Sequence, residues 1–98
     1  MYNMYESGLE NYVVNQVRAV GGRCFKWVCP GVTGVPDRIC IFPGGRIIFA
    51  ELKRPGLTDG RSVRQKKLCQ LLRRLGCDVR RIGDKAEFKA MLEEVMPK

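Results

Sequence analysis

Two acidic residues interrupt the most apolar stretch of this sequence, at a spacing that suggests chemistry. Asp37 begins the run DRICIF, Glu51 lies near the end of the run RIIFAEL, and Lys53 follows two residues later. A Pro-Gly-Gly segment separates the two runs and favours a tight turn between them. If the runs pair as a hairpin centred on the first glycine, residue numbers across it add to 88. Asp37 then faces Glu51, and Phe42 faces Arg46.

Opposed carboxylates repel each other, and burial in an apolar hairpin makes each charge more costly. A divalent cation would relieve both costs, because Mg²⁺ is typically held by one or two carboxylates together with water and phosphate oxygens. Lys53 projects from the same face as Glu51, since side chains alternate along a strand. It could orient or deprotonate a water, or stabilise charge that builds on a phosphate. The set indicates metal-assisted hydrolysis of a phosphodiester.

Two alternatives to this interpretation stay open. A one-residue bulge at the turn would change the register and move the two acids apart. Asp37 could instead cap a turn after Pro36, while Glu51 and Lys53 form an ordinary ion pair at a strand end. The tripeptide E-x-K is common by itself, so the interpretation depends on Pro-Asp standing fourteen residues before Glu51.

The elements that must position these residues follow from hydrophobic periodicity and from glycine and proline breaks. The sequence predicts helices at 5–20, 61–75 and 84–96 and strands at 23–28, 37–42, 46–52 and 77–82. Gly76 is placed to end the second helix, and Asp84 to cap the third. The second helix should bury Val63, Leu68, Leu71, Leu72 and Leu75. The order α-β-β-β-α-β-α predicts an α/β fold, an antiparallel hairpin core with helices packed against it.

Length and composition restrict the class of protein. The 98 residues predict one domain, 1–98, with no apolar run long enough to span a membrane and no signal peptide at the start. Five cysteines with no C-x-x-C motif argue against a disulfide framework or a zinc site, and favour a reducing, cytoplasmic setting. The chain has no histidine, which excludes every mechanism that needs one.

The net charge of +8 is unevenly distributed, since residues 51–98 hold thirteen Lys and Arg against seven Asp and Glu. A small basic domain of this kind predicts a nucleic-acid partner rather than a membrane. The alternative is a solvated helix face, which is the usual meaning of a charge run. The candidate phosphate-binding residues are Arg38, Arg54, Arg61, Arg64, Lys66, Lys67, Arg73 and Arg74, with Arg80 and Arg81 near them. Tyr12, Phe25 and Trp27 could stack on bases, but core packing is expected for each.

The motifs resemble a known nuclease family. Pro36-Asp37 followed by Glu51-Leu52-Lys53 is similar to the PD-(D/E)XK signature. The wider frame, GVPDR, then ELKRPG, then a glutamine in SVRQKKL, then LLRRLGCDVRRI, resembles the VRR-NUC domain over nearly the whole chain, from about residue 6 to 82. That resemblance implies a restriction-endonuclease-like core with a mixed sheet.

The resemblance also implies residue roles. Asp37 and Glu51 would ligate Mg²⁺ or Mn²⁺ together with the backbone carbonyl of Leu52, and Lys53 would position the attacking water. Gln65 matches the family's helix glutamine and would support the lysine or the water. An acid on the first helix would complete the metal site directly or through a water. Both Glu6 and Glu10 lie one turn apart on that helix, and Glu10 is preferred because it lies beside the apolar stripe.

Short stand-alone members of the family, typical of phages, act as homodimers on branched DNA. The resemblance therefore implies a Mg²⁺-dependent, structure-selective DNA endonuclease that acts on four-way (Holliday) junctions. One alternative is a module that binds nucleic acid without cutting it. Another is a restriction-type nuclease that prefers a sequence in linear duplex DNA.

Overall fold

The computed structural model describes residues 8–52 and 60–96, and within them the predicted order of elements is confirmed. Boundaries differ from the predictions by a few residues. The strand predicted at 77–82 begins at Val79, because the amide of Cys77 donates to the carbonyl of Leu72 and belongs to the helix end. The elements are α1 (Gly8–Ala19), β1 (Arg23–Lys26), β2 (Arg38–Phe42), β3 (Arg46–Leu52), α2 (Gly60–Arg74), β4 (Val79–Ile82) and α3 (Lys85–Val95).

The four strands form one mixed sheet in the order β1-β2-β3-β4. The pairs β1–β2 and β2–β3 are antiparallel, whereas β3 and β4 are parallel. A parallel pair needs a crossover connection, usually a helix, and α2 lies in the connection from β3 to β4. The predicted fold class, an α/β fold with an antiparallel hairpin in a mixed sheet flanked by helices, is confirmed.

The hairpin has the predicted register. Phe42 pairs with Arg46 and Cys40 with Ile48, so no bulge interrupts the pairing. Gly44 and Gly45 have φ angles of 90° and 83°, a left-handed conformation that favours glycine. The next position in the series places Asp37 opposite Glu51, just outside the end of β2.

Alternation along the hairpin divides the sheet into two faces. The α1 face carries the side chains of Arg38, Cys40, Phe42, Ile48 and Ala50, all of them buried. The four apolar residues of this set share one cluster with helix residues from α1 and α3. The helix residues with the least exposure in that cluster are Val13, Val17 and Phe88. The main core therefore lies between this face and the two helices.

The α2 face carries Ile39, Ile41, Phe49 and Glu51, and here a prediction was wrong. Helix α2 does not bury the expected leucine stripe, since Leu71 and Leu75 are 41% and 70% exposed. Among the side chains of α2 that the structure describes, Gln65 and Cys69 are buried, one helical turn apart. The reason is that α2 presents this turn to Glu51 at the end of β3, which rotates the leucines outward.

The helix ends follow the predicted signals. Gly76, with a φ of 94°, follows α2, and the side chain of Asp84 caps α3 by accepting from the amide of Glu87.

The helices in the described parts of the chain are too short and too polar to span a bilayer.

Candidate functional site

The two acids of the hairpin meet at its open end. Asp37 accepts a hydrogen bond at Oδ2 from the backbone amide of Leu52, at 2.7 Å. Its own carbonyl accepts from the amide of Trp27, which ties the loop before β2 to the end of β1. Because Leu52 directly follows Glu51, this bond fixes Asp37 beside the second acid. This hydrogen bond thus joins the residue before β2 to the end of β3, next to the two predicted metal ligands.

Glu51 is nearly buried, and both of its carboxylate oxygens have partners. Cys69 donates from Sγ to Oε1 at 3.3 Å, and the Nε of Arg81 lies 3.8 Å from Oε2. Burial raises the pKa of the Cys69 thiol to about 11, aided by the hydrogen bond to Glu51 and by the charges of Glu51 and Asp37. Both acids therefore act on one thiol and face α2 together.

Cys69 is a site residue that sequence reasoning missed. Four residues separate it from Gln65, so both lie on one face of α2. That spacing could have indicated that Gln65 and Cys69 are buried together. The leucines of α2 form a stronger periodic pattern, which predicted that a different face of the helix is buried. The thiol, largely protonated at neutral pH, serves as a donor that orients Glu51.

The acid on the first helix is held by an arginine of the hairpin. Glu10 is 2% exposed, and its Oε2 accepts from Nε and Nη2 of Arg38 at 2.9 Å and 2.8 Å. Arg38 is itself buried, and its guanidinium balances the charge of Glu10 in the core. Its predicted contact with DNA stays a prediction. Glu6, the other candidate for the helix acid, lies outside the described residues.

A cleft of about 680 Å³ opens at this end of the hairpin and brings several predicted residues together. Glu10, Asp37 and Gln65 all line it, so α1, the hairpin and α2 each contribute one. Its remaining lining comes from the end of β1, the β1–β2 loop and α2: Lys26, Trp27, Thr33, Gly34, Val35, Pro36 and Arg64. Its volume is in the range of ligand-binding pockets, which run from about 300 to 1,000 Å³.

Close packing of the loop onto α2 shapes this cleft. Gln65 donates from Nε2 to the carbonyl of Val35 at 3.3 Å. Gly34 has a φ of 92°, and a Cβ there would lie 2.9 Å from the backbone of Arg64. Only glycine fits both the backbone conformation and the contact. Gln65, the predicted helix glutamine, is thereby fixed in the cleft that Asp37 also lines.

The structure assigns the predicted basic residues to different tasks. Arg64, Lys66, Lys67 and Arg74 are exposed on α2, and Arg64 also donates to Thr33 in the cleft. Arg73 donates twice to the carbonyl of Val79 and so anchors α2 to β4. Arg80, by contrast, pairs with Asp78 and Glu94. Lys53, Arg54 and the side chain of Arg61 lie outside the described part of the chain.

The donor set fits a hard divalent cation. Among residues 8–52 and 60–96, no three His, Cys, Asp or Glu side chains are grouped as a metal site. Mg²⁺ commonly takes only one or two carboxylates from a protein and fills its octahedron with water and phosphate oxygens. Asp37, Glu51 and the carbonyl of Leu52 would supply such oxygens, as the resemblance implies.

Comparison with solved structures defines the class of this fold. The chain superposes on a structure described as "VRR_NUC domain" with a TM-score of 0.83, covering 96% of this chain and 100% of that one at 26% identity. The resemblance to the VRR-NUC nuclease domain is therefore confirmed, and the fold is restriction-endonuclease-like. No model of a known protein family matches the sequence.

A particular relative is found among curated proteins. The chain is 49% identical over 51 residues to "Putative nuclease p44" of Acyrthosiphon pisum secondary endosymbiont phage 1. The match spans 52% of this chain and 55% of that protein, so the chain covers about half the length of the relative. Both comparisons are to nucleases by name.

Substitution of Gly34 tests the packing that shapes the cleft. Gly31→Ala is a matched control, because Gly31 also has a left-handed φ, 82°, but nothing lies within 4 Å of its added Cβ. Gly31→Ala should therefore cost only the backbone term, about 1–2 kcal/mol. Gly34→Ala should cost a further overpacking term of about 1–3 kcal/mol. Urea unfolding measures both, and equal losses would contradict the close approach of the loop to α2.

Proposed function

We propose that this chain is a divalent-metal-dependent DNA endonuclease that hydrolyses phosphodiester bonds of branched DNA such as four-way junctions. The observation that carries the proposal is the hydrogen bond from the amide of Leu52 to Asp37. It joins the residue after Glu51 to an acid that lines the cleft together with Gln65. A VRR-NUC fold and a relative named as a nuclease support the same chemistry.

In this proposal Asp37, Glu51 and the carbonyl of Leu52 would hold Mg²⁺ or Mn²⁺, and Glu10 would contribute through a water. When bound, the cation would stabilise negative charge on the phosphate and lower the pKa of water. Cys69 and Arg81 orient Glu51 from one side, while the amide of Leu52 orients Asp37. Lys53 positions the attacking water, supported by Gln65.

The proposed DNA contacts combine the cleft with the exposed charges of α2. Arg64 lines the cleft, and Lys66 lies with Arg73 and Arg81 around a smaller cavity of about 110 Å³ that Glu51 also lines. Lys67 and Arg74 extend the positive surface along the helix, and Arg54 and Arg61 would add to it. Contacts of this kind neutralise phosphates without reading sequence, which suits selection by DNA shape.

A homodimer is part of the proposal, because cleavage of two strands at a junction needs two sites. The apolar residues exposed on α2, among them Leu71 and Leu75, support it, since they lie one turn apart on one side of the helix. A small domain also gains stability from association, because its own core is limited.

Paired charges at the exposed leucines test the dimer. The double variant Leu71→Glu/Leu75→Glu should sediment at half the mass of the wild-type protein, because buried charges would oppose association. Gln70→Glu, an exposed neighbour on α2, is the matched control and should leave the mass unchanged. A wild-type protein that sediments as a monomer at micromolar concentration would contradict the dimer.

Asp37→Asn separates the chemistry from the fold. The amide oxygen can still accept the bond from Leu52, whereas the charge that would hold the cation is removed. We expect Mg²⁺-supported cleavage to fall by at least about 10²-fold, the scale of a lost electrostatic contribution in an active site. Gel assays on four-way, flap, single-stranded and linear DNA, with Mg²⁺, Mn²⁺ or chelator, give the measurement.

The same assays distinguish the alternatives. Preference for four-way junctions supports the proposal, and equal cutting of linear duplex indicates a restriction-type nuclease. If the wild type binds DNA but cuts none of these substrates with either metal, the chain is a binding module and the proposal is wrong.

Lys53→Ala tests the proposed water-positioning role. Cleavage should fall by about 10²–10⁴-fold, the usual contribution of a positioned proton-transfer group. Salt-sensitive DNA binding, measured by fluorescence anisotropy, should persist because the charges of α2 remain. Lys89→Ala, an exposed lysine of α3, removes the same charge away from the cleft and should cut at the wild-type rate. Undiminished Mg²⁺-dependent cleavage by Lys53→Ala would eliminate this mechanism.

A further inference from the structure

Two cysteines face each other across the first pair of strands. Cys24 of β1 and Cys40 of β2 are directly paired, and Cys40 donates a hydrogen bond from its Sγ to that of Cys24 at 3.8 Å. Cys40 is fully buried on the α1 face, whereas Cys24 is half-buried on an edge strand. Cys24 is therefore partly exposed, whereas Cys40 is not.

The spacing of this pair permits a disulfide. Directly opposed residues of antiparallel strands have Cα atoms about 4.5–5.5 Å apart, and disulfides span Cα distances of about 4.4–6.8 Å. The backbone distance therefore already suits a bridge. The sulfurs need to approach by less than about 2 Å from their present 3.8 Å to reach bonding distance.

The surroundings favour ionisation of the accessible thiol. The hydrogen bond from Cys40 lowers the pKa of Cys24, and the charge of Arg38 acts in the same direction, against burial and the charge of Glu10. The same hydrogen bond, together with burial, raises the pKa of Cys40. A partly exposed cysteine of lowered pKa beside a second thiol is the arrangement of redox-sensing cysteines.

The other three cysteines lack this arrangement. Cys69 is buried and hydrogen-bonded to Glu51, and its raised pKa makes it unreactive. Cys29 and Cys77 are also half-buried, but among the described residues neither is hydrogen-bonded to a second thiol, as Cys24 and Cys40 are. The pairing of Cys24 with Cys40 was not expected from the sequence, in which the odd number of cysteines argued against a disulfide framework.

We propose that Cys24 and Cys40 form a reversible disulfide when the protein meets a peroxide. The Cys24 thiolate attacks one peroxide oxygen and becomes a sulfenic acid, and the second oxygen leaves as hydroxide, which takes a proton to become water. The sulfur of Cys40 then attacks the sulfenic sulfur, and the departing hydroxide combines with the Cys40 proton as a second water. Two thiols are oxidised and one peroxide is reduced, and a dithiol reductant reverses the bridge.

The bridge would act on the cleft through β1. Lys26 lies two residues after Cys24, on the same face, pairs with Arg38 and lines the cleft. Because the backbone spacing already suits a bridge, the disulfide would restrain the edge strand beside the Glu10–Arg38 pair rather than move it. Oxidation should therefore lower cleavage several-fold, a consequence that rests on the proposed nuclease function.

Peptide mapping tests the bridge without any activity assay. The reduced protein is treated with hydrogen peroxide, its remaining thiols are alkylated, and it is digested with trypsin. We expect the titratable thiols to fall from five to three and tryptic peptides 24–26 and 39–46 to appear joined. Dithiothreitol should restore all five. Joined peptides at other cysteines, or a Cys24 sulfinic acid with Cys40 still alkylated, would overturn the proposal.

Matched variants separate the pair from general oxidation. The Cys24→Ser variant should form no bridge, so its number of titratable thiols should not fall. This substitution disturbs the core less than one at Cys40, because Cys24 is only half-buried. Cys29→Ser/Cys77→Ser should still form the bridge. If cleavage is unchanged after the wild type is bridged, the regulatory role is wrong. If the reduced protein does not cut DNA at all, the nuclease proposal fails, whereas the thiol count still decides the bridge.

Discussion

The pairing of β2 with β3 fixes which face of the sheet each hairpin side chain occupies. A slip of one residue would exchange the two faces, because side chains alternate along a strand. Asp37 and Glu51 would then turn toward the core, and Cys40 and Ile48 would leave it. The observed pairing of Phe42 with Arg46, closed by glycines in left-handed conformations, prevents this exchange. Both the core and the candidate site depend on that register.

Several charged side chains of this chain hold the fold together. The buried Glu10–Arg38 pair satisfies two charges that would each be costly alone, and it joins α1 to the hairpin. Arg73 ties α2 to β4 through a backbone carbonyl. A sequence shows that an arginine is present, but whether its guanidinium reaches solvent depends on which neighbours fold against it. The sequence therefore shows that the chain is rich in basic residues, but not which of their side chains are exposed and which are paired within the fold.

Helix α2 shows the same limit for apolar residues. Its leucines form the strongest periodic pattern in the helix, and periodicity indicates burial only when a single sheet face decides how the helix packs. Here the contact with Glu51 selects the turn that carries Gln65 and Cys69, and leaves Leu71 and Leu75 exposed. The hydrophobic pattern of a helix contains no information about a polar contact with a distant residue, such as that of Cys69 with Glu51.

The sequence by itself determined the order of the elements, the hairpin with its register and the two acids at its open end. Each follows from local chemistry: alternation, glycine turns and the spacing of residues within one hairpin. Tertiary structure alone decided the packing of α2, the engagement of Glu10 by Arg38 and the facing thiols of Cys24 and Cys40. These contacts join residues distant along the chain, and long-range packing selects among arrangements that local preferences leave equal in energy.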